Sequence, residues 1–271
     1  MIRIGLLLGL LLFPVIAWSS PVELEGNFKQ GGLIFGQTDP KAKVVFEGKS
    51  VRVAESGRFV FGFGRDFKET ATLTVELPSG EVERRVLKIE RRTYPTERLT
   101  GLPPSKVTPS EKFLKRIRKE NGEIARLRAI DTEEEWYLSG WQWPAIGRVS
   151  GVYGSQRILN DIPKRPHFGL DVAAPVGTPI VASTDGRVKM VEEDLFYTGG
   201  TVMIDHGHGL VSVYSHLSKL DVKVGEFVRQ GKKIGEIGKT GRATGAHLDW
   251  RLNWFKERLD PELLLGAMPK N

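Results

Sequence analysis

The feature that most constrains this chain is a rhythm of short β-type runs broken by glycine and proline. Lys43-Val-Val-Phe-Glu47, Arg58-Phe-Val-Phe-Gly62, Thr72-Leu-Thr-Val-Glu-Leu77 and Val86-Leu-Lys-Ile-Glu90 are apolar or alternating, and turn signals separate them at Glu47-Gly48, Ser56-Gly57 and Pro78-Ser79-Gly80. Runs this short suit strands better than helices. The rhythm returns after Gly147, in Thr178-Pro-Ile-Val-Ala182, Gly186-Arg-Val-Lys-Met-Val191, Gly200-Thr-Val-Met-Ile-Asp205, Leu210-Val-Ser-Val-Tyr214 and Lys233-Ile-Gly-Glu-Ile237. The chain is therefore expected to be mainly β. A small antiparallel β-sandwich of accessory type is expected over 20–92, a linker and helix over 93–146, a second β-rich domain over 147–262 and a tail over 263–271. Val176-Gly177-Thr-Pro-Ile180 is echoed by Val224-Gly225-Glu-Phe-Val228, a weak repeat of the kind found in sandwiches built from two similar halves.

One stretch has helical period. Phe113, Leu114, Ile117, Ile124 and Leu127 recur at helix spacing. Thr108-Pro109-Ser110-Glu111 reads as a capping box with proline at the first helical position. The basic residues Lys112, Lys115, Arg116, Arg118 and Lys119 fit a solvated face. The aromatics Trp136, Tyr137, Trp141 and Trp143 fit packing at a domain junction better than the wall of a groove.

The N-terminus reads as an export signal. Met1-Ile2-Arg3 is a short basic start, Ile4 to Ala17 is almost wholly apolar, and Ala17-Trp18-Ser19 places small residues where cleavage occurs. That apolar run falls short of the roughly 20 residues a spanning helix needs. Residues 1–19 are thus expected to be a signal peptide, and the mature chain to be exported, periplasmic or envelope-associated, with no transmembrane span. The 271 residues contain no cysteine, which excludes disulfides, a thiol nucleophile and thiolate metal sites. The formal charge of +7 favours acidic partners; export makes nucleic acid a poor candidate and leaves anionic envelope polymers or a membrane surface.

All five histidines fall after residue 166. Three sit in tight polar runs: His167-Phe-Gly-Leu-Asp171, Tyr214-Ser-His216 and His247-Leu-Asp249. On a strand, residues two or four apart share a face, so each run is expected to gather its polar groups, with Gly169 leaving room for an ion. Imidazoles and carboxylates on one face are the material of a zinc site, which takes about three protein ligands and keeps a position open. His206 and His208 lie in Asp205-His-Gly-His-Gly209 and fit a hairpin turn. Gly238-Lys239-Thr240 is not a phosphate loop, because the glycine needed five positions earlier is Lys233.

Together, His-x-Gly-x-Asp, Tyr-x-His-Leu and Gly-x-His-Leu resemble the LytM/lysostaphin-type zinc metallopeptidases, which cut peptide cross-links of bacterial peptidoglycan. Gly151-Val-Tyr-Gly-Ser-Gln-Arg157, Ala174-Pro-Val-Gly-Thr-Pro179 and Val222-Lys-Val-Gly225 add to the match over 147–262. The resemblance implies a LytM-type β-sandwich (duplicated hybrid motif), His167 and Asp171 as metal ligands, and His216 and His247 as catalytic histidines that activate water and stabilise the oxyanion. The family pattern has a histidine ligand where this chain has Asp249. Aspartate is a legitimate zinc ligand. A His/Asp/Asp site would carry two carboxylate charges, acidify bound water less, and suit a harder ion such as manganese as well as zinc.

Three function classes follow. The first is a cell-wall metallo-endopeptidase acting on peptidoglycan. The second is a degenerate, non-catalytic relative that binds the envelope or activates another wall hydrolase, which would be its envelope protein partner. The third is a carrier domain, faintly suggested by Val188-Lys-Met190; export and the histidines argue against it, and an unmodified intact mass is expected at Lys189.

Overall fold

The computed structural model describes residues 21–269, so the segment expected to be a signal peptide lies outside the described residues. Among the described residues, no helix is long and apolar enough to cross a membrane.

The N-terminal region contains β1 (Glu23–Gly26), β2 (Leu33–Gln37), β3 (Lys43–Phe46), β4 (Lys49–Val51), β5 (Arg58–Gly62), β6 (Thr70–Glu76) and β7 (Val82–Lys88). They form two antiparallel sheets, β1-β2-β5 and β4-β3-β6-β7. Alternation decides which side is buried: Ala71, Leu73 and Val75 of β6 are buried, and the residues between them are not. The core is aromatic, with Phe46 and Phe61 rings 4.5 Å apart and Phe63 packed edge-on against Phe61. Strands β1 and β2 carry too little alternation to be seen in sequence; Leu33 and Ile34 are adjacent and both buried.

Next come β8 (Thr96–Leu99), α1 (Pro104–Val107), α2 (Glu111–Arg128) and a single 3-10 turn at Trp136–Leu138. The stretch expected to be bare linker thus contains a strand and a short helix. The expected capping box does not form. Thr108 is instead the C-terminal cap of α1, its N–H bonded to Pro104 O at 2.8 Å, so α2 starts only at Glu111, after an extended Ser110 whose side chain makes no cap bond. Lys112, Lys115, Arg116, Arg118 and Lys119 of α2 face solvent, while Ile124 and Leu127 pack on Met190, Met203, Val211 and Val213.

The C-terminal region contains β9 (Arg148–Gly151), β10 (Gln156–Leu159), β11 (Ile162–Pro163), β12 (Leu170–Ala173), β13 (Pro179–Val181), β14 (Gly186–Leu195), β15 (Gly199–Gly207), β16 (Leu210–Leu220), β17 (Phe227–Val228), β18 (Lys233–Ile237), β19 (His247–Trp254), β20 (Glu257–Leu259) and α3 (Glu262–Leu265). The main sheet runs β17-β14-β15-β16-β19-β12-β9, and β13, β18 and β20 pair off this path. Lys189 lies within β14 and pairs with Asp205 at 3.3 Å. Every residue of β15 is buried, because the sheet is covered on both faces. Val202 and Ile204 face one core with Trp250 and Tyr214, and Met203 between them faces the core under α2. The echoed sequences are echoed turns: Thr178 N–H bonds Pro175 O and Glu226 N–H bonds Lys223 O, each at 3.1 Å, and each turn leads to a fully buried residue, Ile180 or Val228.

The two regions share one apolar core. Leu210, Leu252, Trp254 and Leu259 belong to the same cluster as the N-terminal phenylalanines, joined by Tyr137 and Trp141 from the aromatic stretch. Leu259 packs so close to Gly62 that a Cβ there would stand 2.6 Å from Leu259 Cδ2. Truncating Leu259 to alanine is expected to lower stability by about 2–5 kcal/mol. Urea unfolding followed by tryptophan fluorescence and far-UV circular dichroism should show both sheets destabilised in one transition; separate transitions, with only one shifted, would contradict a shared core.

Candidate active site

Strand β19 pairs antiparallel with β12 so that Asp249 lies directly across from Asp171. Leu248 and Trp250 on one side, and Leu170 and Val172 on the other, face the core, which turns both aspartates to the opposite face. Paired residues on one face have Cβ atoms about 4.5–5.5 Å apart. Both carboxylates are buried.

His167 reaches them differently from the sequence expectation. It is not on a strand sharing a face with Asp171. It lies in the loop before β12, with its N–H bonded to Ser155 O and its carbonyl accepting from Gly154 N–H, each at 2.8 Å. Its Nε2 stands 3.0 Å from Asp171 Oδ1. That contact lacks hydrogen-bond geometry, and neither buried atom has a hydrogen-bond partner. His167, Asp171 and Asp249 offer ligand atoms within 4.8 Å of one another. Two orphaned buried polar atoms facing each other within a nitrogen-and-oxygen donor set suit a divalent cation such as zinc or manganese.

Two arginines that sequence reasoning missed complete the cluster. Arg157 gives a 2.5 Å hydrogen bond to Asp171 Oδ2. Arg251 grips Asp249, with Nε 2.9 Å from Oδ1 and Nη2 2.5 Å from Oδ2. Two glycines make room for these pairs: a Cβ at Gly151 would stand 2.4 Å from Asp171 Oδ2, and one at Gly169 would stand 2.3 Å from Asp249 Oδ1. The space at Gly169 is thus filled by the aspartate rather than left open for an ion. Burial alone would raise the carboxyl of Asp249, but Arg251, His167 and His216 hold it well below the usual carboxylate range. Burial likewise opposes ionisation of Asp171, and His167 with Arg157 outweighs it. Two residues on from Asp249 on one strand face, Arg251 was findable from sequence by period alone.

His216 and His247 meet beside the aspartates, with ring centroids 4.6 Å apart and His247 Nε2 3.9 Å from Asp171 Oδ1. Tyr214 does not join them. Its hydroxyl points into the core and bonds Ser183, because His216 has φ +69° and breaks the alternation that would have put the two on one face. The glycine-rich loop 238–245 orients both rings: His216 Nδ1 donates to Thr240 O at 2.8 Å and His247 Nδ1 to Gly245 O at 3.0 Å. The Nε2 of each ring is thus the nitrogen left to face the groove. Burial pushes His216 down to about 4, so it is neutral at neutral pH.

A cavity of about 240 Å³ opens beside these groups, lined by Glu97, Leu102, Arg148, Arg157, Arg242 and His247 among others. Glu97 comes from β8, which pairs parallel with β10, and its carboxylate accepts from Ser155 Oγ at 2.6 Å. The segment before α1 is thus part of the groove wall.

His206 and His208 stay apart from the cluster. His208 and Gly209, with φ +51° and +76°, make the two-residue turn between β15 and β16. His206 is fully buried and satisfied by Asp185 O at 2.6 Å and Ser212 Oγ at 2.7 Å.

The comparisons agree with this geometry. The model of peptidase family M23 matches residues 165–261. A crystal structure from Pseudomonas aeruginosa assigned to peptidase M23 is 30% identical, with a TM-score of 0.66, over 89% of this chain and 96% of that one. This chain belongs to peptidase family M23. It is also 44% identical over 107 residues to the peptidoglycan DD-endopeptidase ShyA of Vibrio cholerae, and 32% identical over 155 residues to the cell division protein DipM of Caulobacter vibrioides. Those matches take in 39% and 52% of this chain and 24% of each relative.

Burial holds His206 at about 4 in the folded chain against an ordinary 6.5. A lowered folded value means that the unfolded chain binds the proton first. Its contribution is full above pH 6.5 and is lost as pH falls towards 4, by about 3 kcal/mol at most. Urea denaturation at pH 7, 5.5 and 4.5 should show this loss, and His206→Gln should flatten it; an unchanged slope in the variant would contradict the assignment.

Proposed function

We propose that this chain is an exported cell-wall metallo-endopeptidase that hydrolyses peptide cross-links of peptidoglycan. The observation that carries the reading is the pair of orphaned atoms, His167 Nε2 and Asp171 Oδ1, buried beside two histidines whose Nδ1 protons are tied to backbone carbonyls. The family and the name of the Vibrio relative support the substrate, and the apolar segment at 1–19 supports export to the periplasm or envelope.

In this reading His167, Asp171 and Asp249 are the metal ligands. A zinc or manganese ion held there would polarise the scissile carbonyl and acidify water. The remaining chemistry belongs to the chain. The Nε2 of His216 or His247 takes the proton of the attacking water. Once protonated, that ring donates to the oxygen on which negative charge develops. The Thr240 and Gly245 carbonyls keep both rings turned to the groove and stabilise the imidazolium form. The cavity lined by Arg148, Arg157 and Arg242 accepts an acidic peptide.

One observation favours a second reading, a non-catalytic envelope protein: both oxygens of Asp249 are already engaged by Arg251. Digestion of purified peptidoglycan separates the two. The endopeptidase reading expects release of cross-link peptides, abolished by chelator and restored by zinc or manganese. His216→Ala and His247→Ala should each lower the rate by about 10²–10⁴-fold. No release with either metal, together with unimpaired cellular function of both variants, would favour the binding role.

A further inference from the structure

The third donor position is where this chain has a carboxylate in place of an imidazole, and that carboxylate does not stand alone. Asp249 and Arg251 leave β19 on one face and form a two-point ion pair, with Arg251 Nε reaching both oxygens at 2.9 and 3.2 Å. The space for the pair is built in: a side chain at Gly169 would meet Asp249 Oδ1 at 2.3 Å and Arg251 Cγ at 2.7 Å. Arg157, from β10, pairs with Asp171 through Oδ2 alone, which leaves Oδ1 without a hydrogen bond.

We propose that Asp249 and Arg251 act as one neutral unit in place of an imidazole, with Arg251 the positioning residue of the third metal ligand. This rests on the metal site proposed above. A carboxylate oxygen has two lone pairs. The guanidinium takes one from each oxygen, fixes the plane of the carboxylate, and leaves Oδ1 a lone pair for a cation. It also cancels the charge that would otherwise stand against the dication. Arg251 cancels the charge of Asp249, and Arg157, shared between Asp171 and Glu97, offsets part of that of Asp171, so the set should bind a metal less tightly than two bare carboxylates and leave it a stronger Lewis acid. The excess negative charge expected from the sequence is thereby offset.

The test compares the full chain with Arg251→Met, Asp249→His and the double variant. Zinc affinity is read by competition with a chromophoric chelator, and the unfolding midpoint is read without metal. Arg251→Met should bind zinc at least tenfold more tightly than the unaltered chain, because Asp249 then faces the ion with its full charge. Its metal-free midpoint should fall, since a buried carboxylate loses its partner. In the Asp249→His background the same change should raise the metal-free midpoint, since it removes a buried cation that has lost its counter-charge. Should Arg251→Met fail to fold, Arg251→Gln keeps a donor to Asp249 without the charge and carries the same expected gain in affinity. Zinc binding by the unaltered chain with affinity unchanged within twofold on removal of Arg251, or a fall in midpoint in the Asp249→His background, overturns the neutral unit and leaves the metal site standing. Absence of zinc binding by the unaltered chain overturns the metal site, and the neutral unit with it.

Discussion

Two aspartates facing each other across neighbouring strands set the terms for the rest of this site. Like charges directly opposite on a sheet repel, and burying each carboxylate costs several kcal/mol before any partner is counted. Asp171 and Asp249 are both buried and directly paired in register. Such an arrangement persists only where positive groups surround it. Arg157 and Arg251 supply two, each gripping one carboxylate, and His167 stands over the gap between them. Those guanidiniums fit only because positions 151 and 169 have no side chain. The glycines and the arginines thus answer one electrostatic demand, which the strand register sets.

The histidines answer to a different constraint. A buried imidazole must place both nitrogens, and here backbone carbonyls take the proton of one in each ring. The carbonyls belong to a loop that Thr240 ties to the sheet, its hydroxyl accepting from Gly200 N–H at 2.9 Å and donating to Leu217 O at 3.0 Å. The positive φ of His216 turns its ring out of the strand's alternation and towards that loop. Left-handed backbone at a non-glycine residue is costly, and such residues cluster where geometry matters more than local stability. The ring pair, the loop and the strained residue form one device for presenting Nε2 to the groove.

The N-terminal region is joined to this site by packing. Its phenylalanines share a core with Trp254, at the far end of the strand that begins with His247, and with Leu259 of the next strand, β20. Strand β8 extends the contact to the groove, where Glu97 meets Arg157, the same arginine that holds Asp171. A stretch expected to be linker is thus connected to the electrostatics of the aspartates through one side chain, Glu97.

The sequence by itself determined the mainly β character, the helix between two β-rich regions, the family resemblance and the grouping of His167, Asp171, His216, His247 and Asp249. Period, turn residues and short motifs are local properties, so they survive in a one-dimensional reading. Strands β1, β2 and β8 were not legible: β1 and β8 hold no buried residue, and β2 buries the adjacent Leu33 and Ile34, so none carries a run of alternating buried residues. The capping expectation at Thr108 failed for a different reason: an unforeseen helix had already used that residue. Only the tertiary structure decided that His167 reaches Asp171 from a loop, that Tyr214 turns away, and that Arg157 comes to Asp171 from β10. Spacing fixes which residues can share a strand face, but charge balance in a buried cluster depends on groups that the fold brings from other strands and loops.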